Sequence, residues 1–151
     1  MKRIVPMLGV PLALAACNRA PEAPQVTVED AVVAVPAVPG VPGAAYFTLR
    51  TNVDPTRLVS VASPQVQRIE LHGTIARGDM SGMAPLQPAD LTFSPSAPLA
   101  FAPGGKHAML MGVDPALRPG AKVRLTLTFE GAPPASVEAD VVGPGQAHAT
   151  H

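Results

Sequence analysis

The sequence predicts an all-β domain, an antiparallel Greek-key sandwich or barrel, on three observations. Nineteen prolines are spread along the chain and leave few windows in which a helix can run, because an interior proline removes a hydrogen bond and clashes with the preceding turn. Apolar and polar residues alternate with period two over several stretches, which sends each kind of side chain to its own face of a strand. Those stretches recur at short intervals punctuated by Gly and Pro, the pattern of sandwiches and Greek-key barrels.

The chain opens on a segment of a different kind. Lys2 and Arg3 precede an uncharged, mostly apolar run over residues 4–16, interrupted by Pro6 and Pro11 and ending in Leu14-Ala15-Ala16-Cys17. A bilayer-spanning helix needs about 20 apolar residues, so this run is too short to be one. Residues 1–16 read as a signal peptide, and Leu-Ala-Ala-Cys resembles the lipobox of bacterial lipoproteins, in which the cysteine becomes the lipidated N-terminus. Cys17 is the lone cysteine, so no internal disulfide is expected and stability must come from a core. Residues 17–24, with Pro21 and Pro24, read as a tether between the lipid and the domain. The remaining length suffices for one domain, assigned to residues 25–143, with a His-containing tail over 144–151. Eleven basic residues balance eleven acidic ones with no basic stripe, which excludes nucleic acid as the expected partner.

Within the domain, the apolar stretch at 26–35 predicts a first strand, and the proline-rich segment 36–43 an extended loop after it. Ala45, Phe47 and Leu49 alternate with Tyr46, Thr48 and Arg50 to form the next strand. A short stretch lies at 58–62, and then Ile69 and Leu71 alternate against Arg68, Glu70 and His72. Residues 85–103 contain Leu91, Phe93, Leu99 and Phe101, spaced for strands that Pro95 and Pro98 break. Another stretch spans 107–113. The clearest strand comes next, with Val123, Leu125, Leu127 and Phe129 on one face and Arg124, Thr126 and Thr128 on the other. A turn at Gly131-Ala132-Pro133-Pro134 leads to Val137, Ala139 and Val141 against Ser136, Glu138 and Asp140, completing a hairpin.

The chemistry concentrates in few residues. Four histidines are present, two in the domain and two, His148 and His151, in the tail. The methionines outside the signal peptide are Met80, Met83, Met109 and Met111. In His107-Ala108-Met109 the imidazole and the thioether share one strand face, since residues i and i+2 do. Thioether sulfur is neutral and soft and suits Cu(I), and imidazole suits either copper state. Taken alone the spacing has two readings, because methionine on a strand also serves as a flexible core filler.

A resemblance covering nearly the whole domain bears on that choice. Ala45-Tyr46-Phe47-Thr48-Leu49 followed by Asn52, Leu58-Val59-Ser60-Val61-Ala62-Ser63-Pro64, Glu70-Leu71-His72, and Pro103-Gly104-Gly105-Lys106-His107-Ala108-Met109-Leu110-Met111-Gly112 resemble the periplasmic copper chaperones called PCuAC proteins. Leu117-Arg118-Pro119-Gly120 and the strand at 125–130 extend the likeness. His72 is followed eleven positions later by Met83, as in the family pattern. The resemblance implies a cupredoxin-like fold and a copper site of His72, Met83, His107 and Met109, with Cu(I) preferred. It further implies an extracytoplasmic carrier that passes copper to cytochrome c oxidase or to a thioredoxin-like assembly factor. The protein is expected to be a monomer held at the membrane by its lipid, with His148 and His151 loosely collecting Cu(II) and with no catalytic residues. Two rival classes are a copper electron carrier or enzyme and a structural envelope lipoprotein. Blue copper requires a Cys thiolate beside two His, and Cys17 lies far outside the fold. The chain departs from the family at Gly73, where an acidic residue or methionine is usual, in a slightly longer Met83–His107 spacer, and in having no tryptophan.

Overall fold

The computed structural model describes residues 22–77 and 80–148. The signal peptide, Cys17 and His151 lie outside the described residues. Ten strands succeed one another: β1 (Val26–Ala34), β2 (Gly43–Thr51), β3 (Thr56–Ala62), β4 (Val66–Arg77), β5 (Met80–Pro85), β6 (Thr92–Phe93), β7 (Leu99–Phe101), β8 (Lys106–Val113), β9 (Lys122–Glu130) and β10 (Ala135–Val142). Helical structure among the described residues is confined to two short 3-10 turns, Pro88–Leu91 and Gln146–His148.

The strands form one sheet in the order β5-β4-β8-β2-β1-β10-β9-β3-β6, with β7 also paired to β2. It folds over so that the inner faces of β2, β8, β9 and β10 share one core, as expected of a cupredoxin-like sandwich. Phe47, Leu49, Leu58, Leu110, Leu125, Leu127, Val33 and Val123 are the largest side chains fully enclosed there. Phe47 stacks on Phe101 at a centroid distance of 4.6 Å, and Phe93 meets Phe129 edge-on at 6.1 Å, both favourable aromatic geometries. The outer faces of β9 and β10 carry the cross-strand ion pairs Lys122–Asp140 and Arg124–Glu138. Exposed pairs of this kind add little stability, but they match the register that the hydrophobic face already requires.

The expected antiparallel sandwich is present, with one parallel pair in its sheet. β1 and β10 pair in parallel, Val32 opposite Asp140 and Val33 opposite Val141. These are the first and last strands, so the whole domain serves as the long connection that a parallel pair demands. The segment 85–103 resolves into the Pro88–Leu91 turn, β6 and β7, short elements separated at the prolines that interrupt the alternation.

Leu127→Ala, which empties a fully buried position, is expected to lower the free energy of unfolding by about 2–5 kcal/mol. It should be read as a lower urea midpoint at unchanged slope. Val59, half exposed at the register shift in β3, should tolerate Val59→Thr within about 0.5 kcal/mol. Equal losses at the two positions would contradict the assigned faces.

Candidate metal centre

β4 lies between β5 and β8, and its registers decide which side chains meet. His72 stands directly opposite His107, Glu70 opposite Met109, and Thr74 opposite Met83. Directly opposed residues share a face, so His72, Met83, His107 and Met109 all project from the outer face of the β5-β4-β8 ribbon. The inner face is held by apolar contacts: Ala108 and Leu110 are fully buried, and Ile69 and Leu71 pack on the same core. Opposed residues have Cβ atoms about 4.5–5.5 Å apart and diagonal neighbours about 7–8 Å apart. The two histidines are therefore nearest neighbours, and each methionine lies one diagonal step from His72.

The imidazoles stand with ring centroids 6.1 Å apart and planes inclined by 64°. With metal–imidazole bonds of about 2.0–2.1 Å, as zinc makes them, two rings bound to one ion can have centroids at most about 6.4 Å apart. The observed separation lies inside that bound. His107 Nδ1 lies 3.2 Å from the Gly105 carbonyl oxygen. The same oxygen accepts from the Thr74 amide and the Thr74 hydroxyl, each at 3.2 Å, so one carbonyl ties the His107 ring to β4. The turn that presents it runs through Gly104 at φ +80, a conformation glycine adopts without steric cost.

His72 is held differently. Its side chain is only 15% exposed, and its Nε2 lies 3.2 Å from Glu70 Oε2, while Arg68 Nε reaches Glu70 Oε1 at 3.0 Å. Its Nδ1 is buried and has no hydrogen-bond partner. An unpaired buried acceptor costs about 1–3 kcal/mol, a cost that a bound metal ion would relieve.

Met83, His107 and Met109 line an open groove of about 530 Å³, together with Tyr46, Pro36 and Val41. His72 is not part of the groove wall. Tyr46, the single tyrosine in the chain, has its pKa raised by burial. The spacing of residues did not single it out, nor did it assign a contact to Glu70 or to the Gly105 carbonyl. Among the described residues no three His, Cys, Asp or Glu side chains converge on a common point. The outer face of the ribbon instead brings two imidazoles and two thioethers near one another, a neutral and soft set of side chains.

Other residues fall elsewhere. Met83 lies in the edge strand β5, two residues before a proline that an edge strand tolerates. Met80 pairs with Arg77, at odd spacing from Met83, and so belongs to the opposite face. Met111 comes after Met109 on the outer face of β8, opposite Arg68. His148 ends the second 3-10 turn. Gly73 has a steric reason: a Cβ there would come within 2.9 Å of the Leu86 side chain, which fills the space on the inner face.

A model of the family described as putative lipoprotein LpqE-like matches residues 26–141. Seven chains of solved structures also match. The copper-bound PCuAC domain from PmoF2 is 24% identical, with 79% of this chain and 93% of that one covered at a TM-score of 0.60. Apo-DR1885 from Deinococcus radiodurans is 30% identical over 97% of this chain and 99% of that one, with a TM-score of 0.58. The CuI form of DR1885 is 31% identical over 85% and 83%, with a TM-score of 0.55. No curated protein sequence matches. The fold is that of a PCuAC domain, and the resemblance read from the sequence is borne out. The chain belongs to the LpqE-like family of putative lipoproteins.

In dilute peroxide the metal-free protein should oxidise at Met80 and Met83 first, since they are 74% and 60% exposed, and at the half-buried Met109 and Met111 later. Peptide mass mapping of a time course checks this. Oxidation of Met109 ahead of Met83 would contradict the placement of these side chains.

Proposed function

We propose that this protein is an extracytoplasmic copper chaperone that binds one Cu(I) through His72, Met83, His107 and Met109 and hands it to an acceptor. The observation that carries the reading is the β4–β8 register, with His72 opposite His107 and a methionine one diagonal step away on either side. Two imidazoles and two thioethers bring no negative charge, so they favour the monovalent ion over Cu(II) and provide no carboxylate for harder cations. The copper of the PmoF2 and DR1885 structures supports the same choice.

A carrier must release what it binds. Met83 lies on an edge strand and is largely exposed, so it is the donor that an incoming ligand can displace first, with copper remaining Cu(I) throughout. Thioethers need no deprotonation to bind, which leaves the imidazoles as the groups through which pH acts. The recipient in this reading is cytochrome c oxidase or a thioredoxin-like assembly factor, and the chain is a carrier rather than an enzyme. Residues 1–16 direct export and Cys17 bears the lipid, with residues 17–24 as tether to a copper-binding domain at 25–143. The lipoprotein family supports this anchoring. No helix among the described residues is long and apolar enough to cross a membrane.

Titration with Cu(I) against a competing chelator should give one equivalent bound. Met83→Ile and Met109→Ile should each weaken binding at least tenfold, about 1.4 kcal/mol, and Met83→Ile, at an exposed position, should leave the urea midpoint nearly unchanged. Met80→Ile and Met111→Ile should retain most of the affinity. Undiminished binding in Met83→Ile and Met109→Ile would refute the ligand set.

Replacing Cys17 with Ser should abolish lipid attachment and release the cleaved protein from membranes. A cleaved variant that stays in the membrane fraction after high-salt washing would show that Cys17 is not the anchor.

A further inference from the structure

The two histidines of the site are held by different ring nitrogens. A neutral imidazole carries one N–H and one lone pair, so whatever partner one nitrogen has determines the role of the other. Facing His72 Nε2 is Glu70 Oε2, 3.2 Å away, and a carboxylate only accepts. Nε2 therefore carries the proton, and the lone pair is on Nδ1, the buried atom with no partner. Facing His107 Nδ1 is the Gly105 carbonyl, 3.2 Å away, which also only accepts. There the proton is on Nδ1 and the lone pair on Nε2.

We propose that Glu70 is a positioning residue that holds the proton on Nε2 of His72, so that copper binds His72 through Nδ1 and His107 through Nε2. The assignment rests on the copper-carrier reading and specifies its donor atoms. Arg68, Glu70 and His72 alternate on one face of β4, and Arg68 occupies Oε1 of Glu70 at 3.0 Å. The other carboxylate oxygen is left for the imidazole. A carboxylate behind a ligating histidine fixes the ring's tautomer and orientation and raises its basicity as a donor. His107 has only a neutral carbonyl behind it, so His72 is the better-supported imidazole. During transfer His72 is then the donor that retains copper longest, opposite in role to the exposed Met83.

The test is long-range proton–nitrogen correlation NMR on uniformly nitrogen-15-labelled protein, metal-free and then with one equivalent of Cu(I). It is run at least one pH unit above the ordinary imidazole pKa of about 6.5. The metal-free spectrum should show His72 as the Nε2–H tautomer and His107 as the Nδ1–H tautomer. Cu(I) should shift Nδ1 of His72 and Nε2 of His107. Glu70→Leu should leave His72 a mixture of tautomers and lower Cu(I) affinity about 10–100-fold, with dispersed amide signals showing that the domain is folded. A Cu(I)-induced shift at Nε2 of His72, or a Glu70→Leu protein that keeps the Nε2–H tautomer, would overturn the assignment while leaving the copper site standing. Cu(I) that perturbs neither ring would overturn the copper reading itself, and the assignment with it.

Discussion

The pairing of β4 with β8 is the constraint on which the site depends. Strand side chains alternate faces with period two, so the register that buries Ala108 and Leu110 also commits His107 and Met109 to the outer face. The same register sets Leu71 opposite Ala108 and His72 opposite His107. A slip of one residue on either strand would turn apolar side chains to solvent and donors into the core. The cost of exposing the core protects the geometry of the site, although no donor contributes to that core.

The environment around the ribbon treats the four proposed donors differently. His72 is shielded and backed by a carboxylate, His107 is tied to the Gly105 carbonyl, Met109 is half buried on the groove wall, and Met83 is exposed on the sheet edge. Support decreases from β4 outward to β5. That gradient suits the proposed transfer of copper, in which one donor must yield while the others still hold. The proline-rich segment between β1 and β2 lines, through Pro36 and Val41, the same groove as Met83, His107 and Met109.

Much of this was legible in the sequence, and the limits have physical causes. The β9–β10 hairpin was plain because its inner face is wholly buried and its outer face polar, the condition under which alternation is sharpest. Strand β5 was hidden: Met80-Ser81-Gly82-Met83-Ala84-Pro85 is an edge strand with almost nothing buried, so hydrophobicity gave no signal. The parallel contact of β1 with β10 joins the two ends of the domain, and no local pattern encodes a pairing at that separation. For the site, the shared face of His107 and Met109 came from strand parity, whereas their convergence with His72 depends on β4–β8 pairing and came from family resemblance alone. Arg68, Glu70 and His72 were read on one face, but the Glu70–His72 contact and the orphaned Nδ1 depend on side-chain orientation, which alternation does not specify.

The proposed copper carrier stands or falls on one soft centre assembled from both imidazoles and both thioethers on the outer face of this ribbon. X-ray absorption of the protein loaded with one equivalent of Cu(I) tests it most directly, because sulfur and nitrogen neighbours scatter distinguishably. Sulfur neighbours at thioether distance are expected together with imidazole nitrogen, the sulfur contribution reduced in Met83→Ile and in Met109→Ile alike. A spectrum containing only nitrogen and oxygen neighbours would contradict it.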